Sequence, residues 1–320
     1  MPNGTLTVYC AHDSVYAQAI LDDFADRTGV DIRVKFDTEA SKSLGLSQLI
    51  AREGDAPRCD VFWNNEIFGT IELAERGLLA PYKGDGFARI PPRFRDPAGF
   101  WTGFAGRFRV IIVNTRKAKA EQTVADKLLV EDPGRFAIAK PLFGTTFTHY
   151  TVLWSLWGED RLKAWHADLR KRGIAEVLGN ATVKNMVAKG LCDAGFTDTD
   201  DYFLAEDAGS EVAMLPVRVG DGHTICIPNT VAIVRGAPHP EQARKLVDFL
   251  LSAETEIALA NSRSRQVPLG PVPPEALPEQ VRRLQPLVKG SIPLQPLDKA
   301  RAACLAWLKS EYAGVDSGQE

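Results

Sequence analysis

Apolar and polar residues alternate strictly over Val30-Asp31-Ile32-Arg33-Val34-Lys35-Phe36, the period of a half-buried β-strand. Leu6-Thr7-Val8-Tyr9-Cys10 before it and Cys59-Asp60-Val61-Phe62-Trp63 after it are short apolar runs that also predict strands. Between them the period lengthens. From about Tyr16 to Thr28 the apolar set Ile20, Leu21 and Phe24 keeps helical spacing, and Gly29 stands where a helix would stop. Further helices are predicted from about Ser41 to Glu53 and from Ile67 to Glu75, the second closed by Gly77. The chain up to Gly77 therefore reads βαβαβα, which dictates parallel strands with right-handed crossovers. Each strand ends in polar residues: His12 and Asp13, then Asp37 and Glu39, then Asn65 and Glu66. Parallel strands carry such ends to one rim, where open α/β sheets bind ligands.

Residues 82–100 are rich in Pro, Gly and charge and read as a loop excursion. Trp101 to Asn114 contains Arg107-Phe108-Arg109-Val110-Ile111-Ile112-Val113, a buried strand with two Arg at its start. Phe136 to Ala139 is a strand leading through Phe143-Gly144-Thr145-Thr146 into a Trp-rich helix with Leu153, Trp154 and Trp157. Ala175 to Leu178 is a strand followed by the polar turn Gly179-Asn180. An amphipathic stretch from Val183 to Leu191, with Gly190 as its stop, precedes a short strand over Cys192 to Phe196. Thr224 to Val234 is strand material interrupted by Pro228, which suits a crossing between lobes better than a central strand. Pro240 to Leu251 is a helix whose apolar face is Ala243, Leu246, Val247 and Leu250. Residues 262–298 are Pro-rich and read as extended or in short turns, Ala302 to Tyr312 as a last helix, and the tail from Gly314 as frayed.

The length, 320 residues, suggests two domains, and 45% hydrophobic with 25% charged residues is ordinary globular composition. A net charge of -3, with both signs interleaved and no basic stripe, argues against nucleic acid as partner. No apolar run approaches a membrane span. Met1-Pro2-Asn3-Gly4 carries neither a charged n-region nor an apolar h-region, so either the protein stays in the cytoplasm or these residues begin after a removed export signal. The five cysteines, Cys10, Cys59, Cys192, Cys226 and Cys304, are scattered and odd in number, which argues against a zinc site or disulfide framework and for buried thiols.

Phe196-Thr197-Asp198-Thr199-Asp200-Asp201-Tyr202 concentrates hydroxyls, carboxylates and a phenol at a strand end. It reads either as a ligand-binding cluster or as an acidic loop capping the next helix. Gly144-Thr145-Thr146, opening a helix, is an anion site or an ordinary N-cap. No nucleophile elbow, zinc-protease helix, P-loop or dinucleotide fingerprint is present, and His149, His166, His223 and His239 are scattered.

Four pieces in order resemble the periplasmic ferric-iron-binding proteins of ABC transporters, over about residues 5 to 270. They are Thr7-Val8-Tyr9, Asp60-Val61-Phe62 with a nearby Glu, Gly106-Arg107-Phe108-Arg109 with Asn114-Thr115-Arg116, and Ala243 to Leu250. The resemblance implies the α/β type II periplasmic-binding fold: two lobes, each a mixed sheet flanked by helices, with the ligand cleft between them. Lobe one is expected at residues 1–108 and 228–275, lobe two at 109–227 and 276–320. The family's adjacent Tyr pair falls on Asp200 and Asp201 here, with Tyr202 next to it; its first-strand histidine falls at or beside Asp13, with His12 adjacent; its glutamate is best matched by Glu66. The positions that hold a synergistic phosphate or carbonate are matched at Gly144, Thr145 and Asn180, to which Thr146 and Arg107 are added.

Two readings follow. The carboxylates hold a hard cation, Fe(III) first, with a synergistic anion. Alternatively they hold the ammonium of a small zwitterion such as an aminophosphonate, while the Thr-rich helix start holds its acidic end. A cleft hydrolase is the rival from another class, and no enzymatic activity is expected. The expected partner is the membrane permease of an ABC importer; the protein is expected to be a monomer and a periplasmic protein or extracellular lipoprotein.

Overall fold

β1 (Leu6–Cys10) is the inner strand of the first sheet. In the computed structural model, which describes residues 4–37 and 45–313, the chain then runs through α1 (Ser14–Thr28), β2 (Ile32–Phe36), α2 (Gly45–Glu53), β3 (Val61–Asn64), α3 (Phe68–Glu75), β4 (Leu79–Ala80) and the long β5 (Thr102–Asn114). β1 pairs parallel with β2, Leu6 opposite Ile32, and with β3, Val8 opposite Val61. Gly29 ends α1 in the left-handed conformation, φ 67°, its N–H donating to Ala25 O, which is where the sequence placed the stop. Thr38, Glu39 and the expected start of the second helix at Ser41 lie outside the described residues.

The chain continues with α4 (Gln122–Glu131), β6 (Phe136–Ala139), α5 (Gly144–Trp157), α6 (Glu159–Lys171), β7 (Ala175–Val177), α7 (Asn180–Ala188), β8 (Ala194–Asp198), α8 (Thr199–Asp207), β9 (Val212–Pro216), β10 (Arg218–Val219), β11 (His223–Thr224) and β12 (Cys226–Val234). In the second sheet β6 lies parallel to β7 and β8, while β5 is antiparallel to β8 and β9. A side chain at Gly195 would lie 2.5 Å from Val183 Cγ1 and 2.8 Å from Ala137 O, so only glycine lets α7 sit down on β8.

β12 returns to the first sheet, pairing antiparallel with β3 from Thr230 opposite Asn64 to Ile233 opposite Val61. Pro228, expected to interrupt this strand, lies before those pairs and leaves their ladder intact. α9 (Pro240–Leu250), α10 (Ala253–Asn261), α11 (Glu279–Lys289) and α12 (Asp298–Tyr312) complete the chain. α11 corrects the expectation of an extended segment: Val281, Leu284 and Val288 keep helical spacing and are buried, and the helix accommodates Pro286.

The chain divides into two compact units, one made of Met1–Arg107 with Ile227–Lys289, the other of Phe108–Cys226 with Gly290–Glu320. The stretch 276–289, read from sequence as part of the second lobe, belongs to the first unit. Each unit has its own apolar core: Leu6, Val8, Phe24 and Phe62 in the first, Val110, Ile112, Phe136 and Phe203 in the second. Among the described residues no helix is long and apolar enough to cross a membrane.

Candidate functional site

The second unit gathers its polar residues at the C-terminal end of β8. Antiparallel register sets Arg109 of β5 opposite Asp198, the last residue of β8. Two helices that start directly after parallel strands bring Thr145 (α5) and Asn180 (α7) to the same point. Arg109, fully buried, shares its Nη1 between Asp198 Oδ1 (2.8 Å), Thr145 Oγ1 (3.1 Å) and Asn180 Oδ1 (3.2 Å). Thr145 Oγ1 donates to Asp198 Oδ2 (2.6 Å), and Asn180 Nδ2 donates to the same oxygen (3.0 Å) and to Thr145 Oγ1 (2.7 Å). Thr146 Oγ1 donates to Asn180 Oδ1 at 3.1 Å. A buried carboxylate is costly unless paired and hydrogen-bonded, and Asp198 is both.

The structure thus brings Gly144, Thr145, Thr146 and Asn180 together. It also shows that the hydroxyl and amide donors of Thr145, Thr146 and Asn180 point inward, at Asp198 and at one another. What remains for an external anion is backbone. α5, α7 and α8 all start without a side-chain cap. The intrahelical ladder of α5 begins with Phe147 N–H donating to Phe143 O, which leaves the N–H groups of Gly144, Thr145 and Thr146 outside it.

Arg107 is not the arginine of this cluster. It belongs to the first unit and its Nη2 donates to Asn65 O. Arg107 and Arg109, two apart on a strand, share a face, so their spacing alone left the choice open. Arg109 Nε and Nη2 are buried and have no hydrogen-bonding partner among the described residues. His149, one turn into α5 from Thr145, is buried; desolvation, and then the nearby Arg109 charge, push its pKa well below the usual histidine range and keep it neutral. Sequence reasoning set His149 aside, although its spacing of four from Thr145 puts both on one helix face.

Asp200 and Asp201 occupy the first turn of α8, where Asp200 Oδ1 accepts the Asp201 N–H at 3.1 Å. A carboxylate oxygen from each of Asp198, Asp200 and Asp201 lies within 4.8 Å of the others. Burial, followed by repulsion from Asp200 and Asp198, pushes the Asp201 pKa up to about 7, against the opposing hydrogen bond from Thr197 Oγ1 (3.0 Å). Tyr202 sends its hydroxyl along the helix to Glu206 Oε1 at 2.7 Å, away from a role as the cluster's phenolate.

The remaining candidates belong to the first unit. Glu66, buried, accepts the N–H groups of Phe68 (2.7 Å) and Gly69 (2.6 Å) with its two oxygens and so caps α3. Burial raises its pKa, and those hydrogen bonds work against the rise. Asp13 is the N-cap position of α1, where its carbonyl accepts from Tyr16 and Ala17 at 3.0 Å. His12, buried at the end of β1, meets Trp63 at 5.5 Å and Gln266 at 3.2 Å.

Two α/β units threaded by β5 and β12, with polar side chains at strand ends and helix starts, define a solute-binding architecture. The chain belongs to the bacterial extracellular solute-binding protein family, whose model matches residues 12–257. It is 25% identical over 283 residues to the major ferric iron-binding protein of Neisseria meningitidis, covering 83% of this chain and 81% of that protein. Its fold is shared by the apo ferric ion-binding protein A of Pasteurella haemolytica, with TM-score 0.83, 20% identity, and 98% of this chain and 99% of that chain covered. Iron-bound HitA from Pseudomonas aeruginosa matches with TM-score 0.76 and 24% identity over 94% of this chain and 99% of that chain. The fold is the type II periplasmic-binding fold read from the sequence.

Proposed function

We propose that this chain is the exported solute-binding protein of an ABC importer and that it carries ferric iron together with a small oxyanion. The observation that carries the reading is the close set of Asp198, Asp200 and Asp201 carboxylates beside the uncapped start of α5. Three carboxylates so near one another repel, and a hard trivalent cation removes that repulsion. Asp198 is already balanced by Arg109, so Asp200 and Asp201 are the ligands offered to the metal. Phosphate or carbonate would sit on the backbone N–H groups of Gly144, Thr145 and Thr146, at the positive end of the helix dipole. The named relatives support iron over other hard cations. Iron here is cargo, recovered unchanged, and the chain is no enzyme. Its partner is a membrane permease, and its place is the periplasm or the outer face of the cell membrane.

A thermal-shift screen of Fe(III), Mn²⁺, Ca²⁺ and 2-aminoethylphosphonate, each with and without phosphate, tests the reading. Cargo at a hundredfold excess over its dissociation constant adds about 2.7 kcal/mol of apparent stability. Fe(III) is expected to shift the transition, more so with phosphate, and Asp200→Asn/Asp201→Asn to abolish the shift. The complex is expected to be colourless, since Tyr202 is committed to Glu206. A second reading, an amine-bearing phosphonate, is favoured by one observation. With Asp198 balanced by Arg109 and burial and neighbouring carboxylates pushing the Asp201 pKa up, the cluster's residual charge suits a single ammonium. A shift with 2-aminoethylphosphonate and none with any metal selects it.

A further inference from the structure

The last helix of the chain is fastened to the second unit by a run of buried hydrogen bonds whose direction is determined. Tyr150 of α5, His166 of α6 and Tyr312, the final residue of α12, are all buried. The Tyr312 hydroxyl meets both Glu176 Oε1 of β7 and His166 Nε2, the latter at 3.2 Å. A carboxylate can only accept, so the single Tyr312 proton goes to Glu176. Towards His166 the Tyr312 oxygen must then accept, which places the ring proton on Nε2. His166 Nδ1 is left as an acceptor, and it lies 2.9 Å from the Tyr150 hydroxyl. Donation therefore runs from Tyr150 to His166 to Tyr312 to Glu176. Burial first, and then Glu176, raises the pKa of both phenols well above the usual tyrosine range, so each keeps the proton it donates.

A second proton on His166 does not fit this run. It would sit on Nδ1 and face the Tyr150 oxygen, whose own hydrogen would have to turn away. The Tyr150 hydroxyl has no other hydrogen-bonding partner among the described residues. A buried donor without an acceptor is costly, and so is a charged ring out of water. The charged groups facing the ring, beside the two phenols, are Arg170 of its own helix, Glu176 of β7 and Glu311 of α12. Lys140, after β6, lies 5.8 Å from the Tyr312 ring. Arg170 joins the two acids, its Nε 3.3 Å from Glu176 Oε2 and its Nη1 2.7 Å from Glu311 Oε1. Burial is the largest influence and lowers the His166 pKa; Arg170 acts with it, Glu176 and Glu311 against it. Rings complete the attachment: Trp307 of α12 lies 5.6 Å from Trp154 and 5.5 Å, edge-on, from His166.

We propose that Tyr150, His166, Tyr312 and Glu176 form an acid-sensitive clasp on the C-terminal end of α12. With His166 neutral the end is held against α5, α6 and β7; a proton on Nδ1 opens it. The clasp lies wholly within the second unit and does not depend on the identity of the solute. Its sign follows from which state takes the proton. The docked end favours neutral His166, while in the open end the ring charges at its ordinary pKa of 6.5. The hold is therefore full above pH 6.5 and is lost as pH falls through the lowered value of the docked ring.

The test is backbone hydrogen–deuterium exchange of the cargo-free full chain from about pH 7.5 down to about pH 4.5, corrected for the intrinsic rate. The last turn of α12 is expected to lose protection about tenfold over that range while β8 keeps its own. Protection of α12 that stays constant, or that falls together with β8, overturns the proposal. Glu176→Gln still accepts from Tyr312 but removes a charge that favours protonated His166, so opening is expected to move to lower pH. An unmoved midpoint overturns the role given to His166. Tyr312→Phe keeps the ring and removes the bridge; its last turn is expected to exchange at neutral pH as fast as the unaltered chain does in acid, and unchanged protection overturns the clasp. A long-range ¹H–¹⁵N correlation spectrum at neutral pH should show His166 Nε2 pyrrole-like and Nδ1 pyridine-like. The pair is assigned by its loss in His166→Gln, or by its shift in Tyr312→Phe if the Gln variant does not fold. A proton on Nδ1 instead overturns the order of donation and the clasp with it.

Discussion

The two units treat buried carboxylates in opposite ways. In the first, Glu66 accepts two N–H groups at the start of α3, and Glu256 accepts the N–H groups of Ala105 (2.8 Å), Leu269 (2.7 Å) and Gly270 (3.1 Å) beside Arg89. These carboxylates are spent on backbone and hold the fold. In the second, Asp198 is matched by a guanidinium and by side-chain donors, while Asp200 and Asp201 are added beside it in the first turn of α8. Acidic residues at strand ends are therefore not equivalent. Glu66 and Glu256 each accept two or three backbone N–H groups, whereas Asp200, which accepts the Asp201 N–H at 3.1 Å, and Asp201 also crowd a third carboxylate. The contrast also explains why Glu66, matched by family resemblance to a ligand, looks from its hydrogen bonds like a cap.

The largest effect that would break this comparison is expected at Arg109. Arg109→Met leaves Asp198 buried and uncompensated, which should cost about 3–5 kcal/mol in urea unfolding. The double variant Arg109→Met/Asp198→Asn should recover much of that, and a single variant costing no more than a surface substitution would show that the pair carries no weight. A pH effect follows. The Asp201 pKa is raised from an ordinary 3.8 to about 7, so its contribution to stability is full below about pH 4 and is lost as pH rises through 7. Cargo-free protein should lose stability across that window, and Asp201→Asn should flatten the profile. Cation binding should strengthen over the same window as the proton leaves. An unchanged profile in Asp201→Asn would remove the crowding argument.

Glu66→Ala should cost about 1–2 kcal/mol of stability, the usual value of a cap, with Fe(III) affinity unchanged. A loss of affinity in a fully folded variant would return Glu66 to the ligand set. Thr145→Ala should cost about 1 kcal/mol, appearing in stability because its hydroxyl proton is spent on Asp198. The smallest effect is expected at Tyr202→Phe, which removes one bond to Glu206 four residues away, worth roughly 0.5 kcal/mol. A larger loss of cargo affinity there would contradict its place outside the cluster.

Much of the secondary structure was legible because it follows from neighbours in the chain. The helical face of Ile20, Leu21 and Phe24 with Gly29 behind it, and the face of Ala243, Leu246, Val247 and Leu250, specify α1 and α9 through period and stop signal alone. α11 was missed because Pro286 and its Pro-rich flanks outweighed a sound helical spacing of Val281, Leu284 and Val288. The β8 strand was read two residues early, which concealed that Asp198 ends the strand while Asp200 and Asp201 begin the helix.

By itself the sequence determined the alternation of strands and helices from β1 to α3, the helix α9, and the place of Thr145, Asn180 and the aspartates beside strand ends. Period and punctuation are local properties, carried by residues a turn or a pleat apart. Only the tertiary structure decided that Arg109, and not Arg107, meets Asp198, and that Gln266 meets His12. Those outcomes depend on the register of strands and on contacts between residues far apart in the chain. Alternation along a strand states which face a side chain takes and carries no information about what stands opposite it.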